Sequence, residues 1–201
     1  MKKSFIILGL ALVCCSFLFL AHPAFAKEAP EAILAKLPAE LNGFQATQIQ
    51  KFDEAGWGAA LGYNNMDTVT AVTVYIFDMG AKEIKDGLAS PIIKQAKTDA
   101  MEDIKSVIDS GMYKNLKIVK ESEVKLPLGK GKSWPALYVL MNMEVVISDQ
   151  GLTMPDHSSM YITGMKNQII KIRISRPEVT EENEKNIDAL VSSLLSAISG
   201  S

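Results

Sequence analysis

Hydrophobic positions change their period repeatedly along this chain, and each change marks an element. An uncharged apolar run fills Phe5 to Leu20, behind Lys2 and Lys3 and ahead of Ala24-Phe25-Ala26. Charged start, apolar middle and small residues at the cut are the layout of an export leader, with cleavage expected after Ala26. A retained anchor needs about 20 apolar residues, and this run is shorter and meets Pro23. Cys14 and Cys15 would suit a lipoprotein, but Val13 stands where a small residue is wanted. The chain therefore divides into a leader over residues 1–26, a lead-in over 27–43 and one domain over 44–201.

Beyond the leader, Ile33, Leu34 and Leu37 predict a helical turn or two. Gly56 to Tyr63 reads as a strand of small residues, and Thr68 to Asp78 as a stronger one rich in β-branched and aromatic side chains. A hairpin through the Asn64-Asn65 loop would set Ala59 against Val72 and Trp57 against Val74. From Ser90 the period becomes helical: an N-cap serine, Pro91 at the first helical position, then Ile92, Ile93, Ala96, Ala100, Ile104, Val107 and Ile108, with Gly111 as the stop. Strands are predicted over Leu116–Leu126, Trp134–Ser148, Leu152–Gly164 and Gln168–Ser175. In the second of these, Leu137, Val139, Met141, Met143, Val145 and Ile147 take alternate places, so one face is core and the other wet. Thr180 then caps a last helix, with Ile187, Leu190, Val191, Leu194, Leu195 and Ile198 along one side. The fold class that follows is α+β: an antiparallel β-sheet of about six to seven strands covered by two amphipathic helices.

Composition narrows the function. The 201 residues carry a net charge of −2, with 48% apolar and 22% charged residues. A disordered or low-complexity chain has a different balance, and a nucleic-acid binder has an excess of cations to meet phosphates. Leader removal takes away both cysteines and His22, leaving His157 alone. Disulfides, thiolate nucleophiles and cysteine-based metal centres are thereby excluded from the mature chain.

Met141-Asn142-Met143 and Met154 to Met160 around His157 have spacings that copper(I) could use. Hairpin register decides. One closure pairs Val139 with Ile162, Met141 with Met160, Ile147 with Met154 and Glu144 with His157, which keeps apolar residues on one face. A one-residue slip sets His157 against Met143 but turns Met160 and Ile162 out of the core. The first is favoured, so no metal and no cofactor are expected. Asp156-His157-Ser158 are strand neighbours on alternating faces and cannot form a triad there, nor does a Gly-x-Ser-x-Gly elbow accompany them. Gly129 to Ser133 ends like a phosphate loop, but Leu126 occupies the first glycine position and a strand follows in place of a helix. Glu181, Glu182 and Glu184 gather at a helix start, where the dipole explains them.

What remains is surface and cavity. Tyr138, Tyr161, Lys171 and Arg173 are expected on the outward sheet face, as an aromatic and cationic patch fit for a partner or an anionic ligand. The succession Ala71 to Gly80, a central helix, Trp134 to Ser148, and the hairpin Met160-Tyr161-Ile162-Thr163-Gly164 to Ile170-Lys171-Ile172-Arg173-Ile174 before a closing helix resembles PsbP-like domains and a group of exported bacterial proteins. That resemblance implies an α/β/α sandwich and a small, exported, non-enzymatic accessory role, and carries over no site residue. The expectation is a periplasmic or secreted binding module of the cell envelope, without nucleic acid and without stable membrane insertion after cleavage. Its partner would be another envelope protein. The alternatives are a small apolar-ligand binder whose cavity is lined by Met141, Met143 and Met160, and an enzyme of unknown type using a buried Glu beside Tyr63 or Tyr75.

Overall fold

The structure is a computed structural model that describes residues 27–128, 131–147 and 151–200. The leader with Cys14 and Cys15, Gly129 and Lys130 of the rejected phosphate loop, and residues 148–150 lie outside the described residues. In chain order the elements are α1 (Pro30–Leu34), β1 (Glu40–Leu41), β2 (Phe44–Ala46), β3 (Gln50–Lys51), β4 (Ala59–Asn65), β5 (Thr70–Phe77), α2 (Pro91–Asp109), β6 (Tyr113–Pro127), β7 (Ser133–Ile147), β8 (Leu152–Met165), β9 (Gln168–Arg176) and α3 (Glu181–Gly200). The strands form one antiparallel sheet in the order β1-β2-β4-β5-β9-β8-β7-β6, with β3 also on β4.

The sheet is covered on both faces. Val72, Val74 and Ile76 of β5 pair with Ile174, Ile172 and Ile170 of β9, and this row is buried with Ile33, Leu34 and the apolar side of α3. The opposite face holds Val139, Met141 and Met143 of β7 with Met160 and Ile162 of β8, buried under Ile93, Ala96, Ala100, Met101 and Ile104 of α2. Alternation along each strand therefore serves two cores. Among the described residues the sheet has nine strands, more than the pattern predicts, because β1 to β3 are only two or three residues long and have no period to read; the helical turn expected around Ile33 and Leu34 is α1. The lead-in is part of the fold: Leu37 joins the α3-side core, and the Tyr63 hydroxyl donates to the Pro38 carbonyl at 2.7 Å.

Two registers differ from expectation by even numbers of residues. β4 and β5 pair Tyr63 with Val72, Leu61 with Val74 and Ala59 with Ile76, so Ala59 does not meet Val72 and Trp57 does not meet Val74. The chain before β4 leaves the ladder at Gly56 (φ 87°) and Gly58 (φ 66°), and a Cβ at Gly58 would stand 2.0 Å from the Ile76 carbonyl oxygen. Only glycine fits there. β7 and β8 pair Val139 with Met160, Met141 with Ser158 and Asn142 with His157. The expected pairs of Val139 with Ile162, Met141 with Met160, Ile147 with Met154 and Glu144 with His157 are therefore shifted by two. Ile147 pairs with Leu152, the last pair of this ladder among the described residues. β8 is meanwhile held to β9 by Lys166 (φ 55°) and Asn167 (φ 60°), both left-handed, as a two-residue hairpin turn requires. An even shift preserves every face.

Helix ends divide likewise. Thr180 caps α3 as expected, its Oγ1 accepting from the Asn183 N–H at 3.1 Å. Ser90 precedes α2, but its Oγ accepts from the Lys85 N–H at 2.7 Å and makes no cap.

Candidate functional site

The α2-facing side of the sheet is only partly filled. α2 packs toward β6 and β8, and its apolar residues sit over β7 and β8. Beyond that, β4 presents Ala60 and Gly62, whose small size leaves space above them. Gly62 is held close to Thr47, which a Cβ would crowd at 2.9 Å. Rows run across the sheet here: Gly62 beside Thr73 beside Arg173, then Ala60 beside Tyr75 beside Lys171. The result is a cleft of about 780 Å³. Its floor is Thr73, Tyr75, Phe77, Lys171, Arg173 and Met160; Asp99, Asp103 and Ile104 of α2 form one wall, and Gln50, Phe52 and Trp57 the other. Trp57 stands at this rim with 55% of its surface exposed.

Each floor cation is held in place. The Lys171 ammonium lies 4.3 Å from the Tyr75 ring centroid and 5.7 Å from that of Phe77, within cation–π reach. Burial pushes the Lys171 amine below the usual lysine range; Asp103 opposes this and the neighbouring Arg173 reinforces it. Arg173 Nε donates to Ser158 Oγ at 3.2 Å, and the guanidinium carbon is 5.7 Å from the Tyr113 ring centroid. Arg173 Nη2 is 3.9 Å from Asp156 Oδ2, an ionic contact too long for a hydrogen bond, and it has no acceptor among the described residues. Asp156 is itself buried. Burial raises its carboxyl above the ordinary range, while Arg173 and a hydrogen bond from Ser175 Oγ at 3.3 Å pull it back.

The expected four-residue patch is not one surface. Lys171 and Arg173 line the cleft, whereas Tyr138 and Tyr161 lie on the α3 face, their ring centroids 4.9 Å apart. Pairing explains the division: β8 and β9 set Met160 against Arg173 and Tyr161 against Ile172, so Tyr161 shares a face with the isoleucines. Burial there raises the Tyr161 phenol above its ordinary range. Arg176 lies on that side too, ion-paired with Glu184 in the first turn of α3. The Met-lined cavity is also corrected. Met160 reaches the cleft, but Met141 and Met143 are buried in the core under α2 and are not among the lining residues.

His157 Nδ1 is 2.9 Å from Asn142 Oδ1, on the opposite face from Met141, Met143 and Met160. The Tyr63 hydroxyl is committed to Pro38, whereas Tyr75 is part of the cleft floor. Among the described residues no three His, Asp or Glu side chains converge as metal ligands, and no helix is long and apolar enough to cross a membrane. Sequence reasoning missed Trp57, Thr73, Asp99 and Asp103 as cleft residues. The signal was present in the small run Gly58 to Gly62, which opens space under a helix as well as allowing close sheet contact.

No family model matches the chain, and no curated protein matches it. Among solved structures, it is similar to the solution structure of the cyanobacterial PsbP of Synechocystis sp. PCC 6803, at 14% sequence identity and a TM-score of 0.45, over 77% of this chain and 82% of that one.

Proposed function

We propose that the chain is exported, loses its leader after Ala26, and acts in the cell envelope as a non-catalytic binding domain whose cleft under α2 takes a small ligand. The observation that carries this reading is the cleft itself. Its volume of about 780 Å³ falls within the roughly 300–1,000 Å³ of sites that enclose small organic ligands. The walls combine aromatic surface with a few placed polar groups, which is how such sites gain affinity and orientation. The separation of Tyr138 and Tyr161 from Lys171 and Arg173 removes the patch that favoured a protein partner, and moves the reading toward a ligand.

Native mass spectrometry of the chain purified from its own envelope without denaturant tests this. The expected result is a co-purifying small molecule that is absent from a Thr73→Trp variant, whose indole occupies the floor beside Gly62. The same adduct on both proteins, or none on either, counts against the proposal.

A further inference from the structure

Taking the cleft as a ligand site, which is the reading just proposed, we infer that it selects ligands joining an anionic group to a flat aromatic body, with the anion seated at Lys171 and Arg173 on the floor. Two cations two residues apart on one face of β9 repel each other; Arg173 keeps Asp156 at 3.9 Å as a counter-charge, too far for a hydrogen bond, and Lys171 has no such partner among the described residues. Lys171 has no carboxylate at ion-pair distance among the described residues, and Arg173 Nη2 lacks an acceptor. Two other part-buried lysines do have close carboxylates, Lys27 with Asp78 at 2.6 Å and Lys97 with Glu121 at 2.7 Å. Ser158 fixes the guanidinium by its Nε and Nη2 is buried beside Asp156, which leaves Nη1 as the nitrogen that can meet a bound oxyanion.

The acids around the cleft do not reverse this. Asp103 is exposed on α2 and Asp99 accepts a hydrogen bond from Gln95 at 2.6 Å, so water and that amide screen both. Asp156 lies beyond the lining, against Arg173. Charges on the half-buried floor act through a lower effective dielectric than those on the rim, roughly fourfold lower on ordinary values. Tyr75 and Phe77 beside the cations, with Trp57 at the rim, line the cleft with aromatic surface against which a planar body can pack. A bound anion would also favour the charged form of Lys171, which burial disfavours.

The test uses two fluorescent probes with one aromatic skeleton, anilinonaphthalene sulfonate and its uncharged counterpart phenylnaphthylamine, titrated into the purified mature chain. The sulfonate is expected to bind at least about tenfold more tightly, a preference that Lys171→Met reduces by about tenfold with little change for the neutral probe. Raising salt should weaken the sulfonate alone, a readout that needs no variant. Thr73→Trp should abolish both. Equal affinity for the two probes, unchanged by Lys171→Met or by salt, while Thr73→Trp still blocks them, overturns the anion preference and leaves the cleft as a ligand site. Binding of neither probe, or binding indifferent to Thr73→Trp, overturns both.

Discussion

Replacing Arg173 by methionine tests how the cleft floor is held. In the folded chain the guanidinium stands 3.9 Å from Asp156 Oδ2, with 25% of the Arg173 side chain and 5% of the Asp156 side chain exposed. Two unit charges at that separation attract by about 4 kcal/mol at an effective dielectric near 20. Partial solvation of Arg173 reduces this to about 2 kcal/mol, and the loss in Arg173→Met is expected near that value because a buried carboxylate is left without its counter-charge. The sign with pH follows from linkage. Burial already holds the Asp156 carboxyl above its ordinary pKa of 3.8 in the folded state, and removing Arg173 raises it further. A raised acid contributes stability that is present below the unfolded pKa and lost as pH rises through the folded pKa. The deficit of Arg173→Met should therefore be full at neutral pH and shrink as pH falls toward 3.8. Urea unfolding of both proteins at neutral and acidic pH measures it, and Asp156→Asn in the Arg173→Met background should recover most of the neutral-pH loss. An equal deficit at both pH values with no recovery would refute the ion-pair account of this floor.

Two further substitutions test other supports of the fold. Tyr63→Phe removes the hydroxyl that donates to the Pro38 carbonyl at 2.7 Å from a fully buried ring, and should cost about 1–2 kcal/mol in urea unfolding while leaving probe binding unchanged. Gly58→Ala places a methyl 2.0 Å from the Ile76 carbonyl oxygen at a positive φ. It should cost at least about 1–3 kcal/mol in urea unfolding and shift the emission of the adjacent Trp57.

Alternation along β7 and the three- and four-residue steps of α2 and α3 made those elements legible, because each buries a continuous stripe. Parity was legible as well: Val139, Met141, Met160 and Ile162 share a face as read. Alternation fixes parity alone, however, and the turn chooses the partner. Asn142 in place of Glu144 therefore meets His157, and Ile76 in place of Val72 meets Ala59. β1 to β3 carry too few residues for a period and are held by their pairing to β2 and β4. Lys171 and Arg173 are legible as cations on a sheet face, but alternation alone implies a wet face shared with Tyr138 and Tyr161, which the pairing of β8 with β9 divides. Once both sides of a sheet are covered, isoleucines on one side and methionines on the other are both interior, and sequence alone does not say which face a given hairpin partner joins.

The two tryptophans offer the most direct measurement of the central claim, because they lie in different places. Trp57 borders the cleft, while the Trp134 indole donates to Thr163 Oγ1 at 3.0 Å and to the Gly164 carbonyl at 3.1 Å, outside it. In a proton–nitrogen NMR titration with anilinonaphthalene sulfonate, the Trp57 indole signal should move together with the amides of Thr73 and Lys171 while that of Trp134 stays in place. Movement centred on Trp134, Tyr138 or Tyr161, with Trp57 and Lys171 unaffected, would contradict the account.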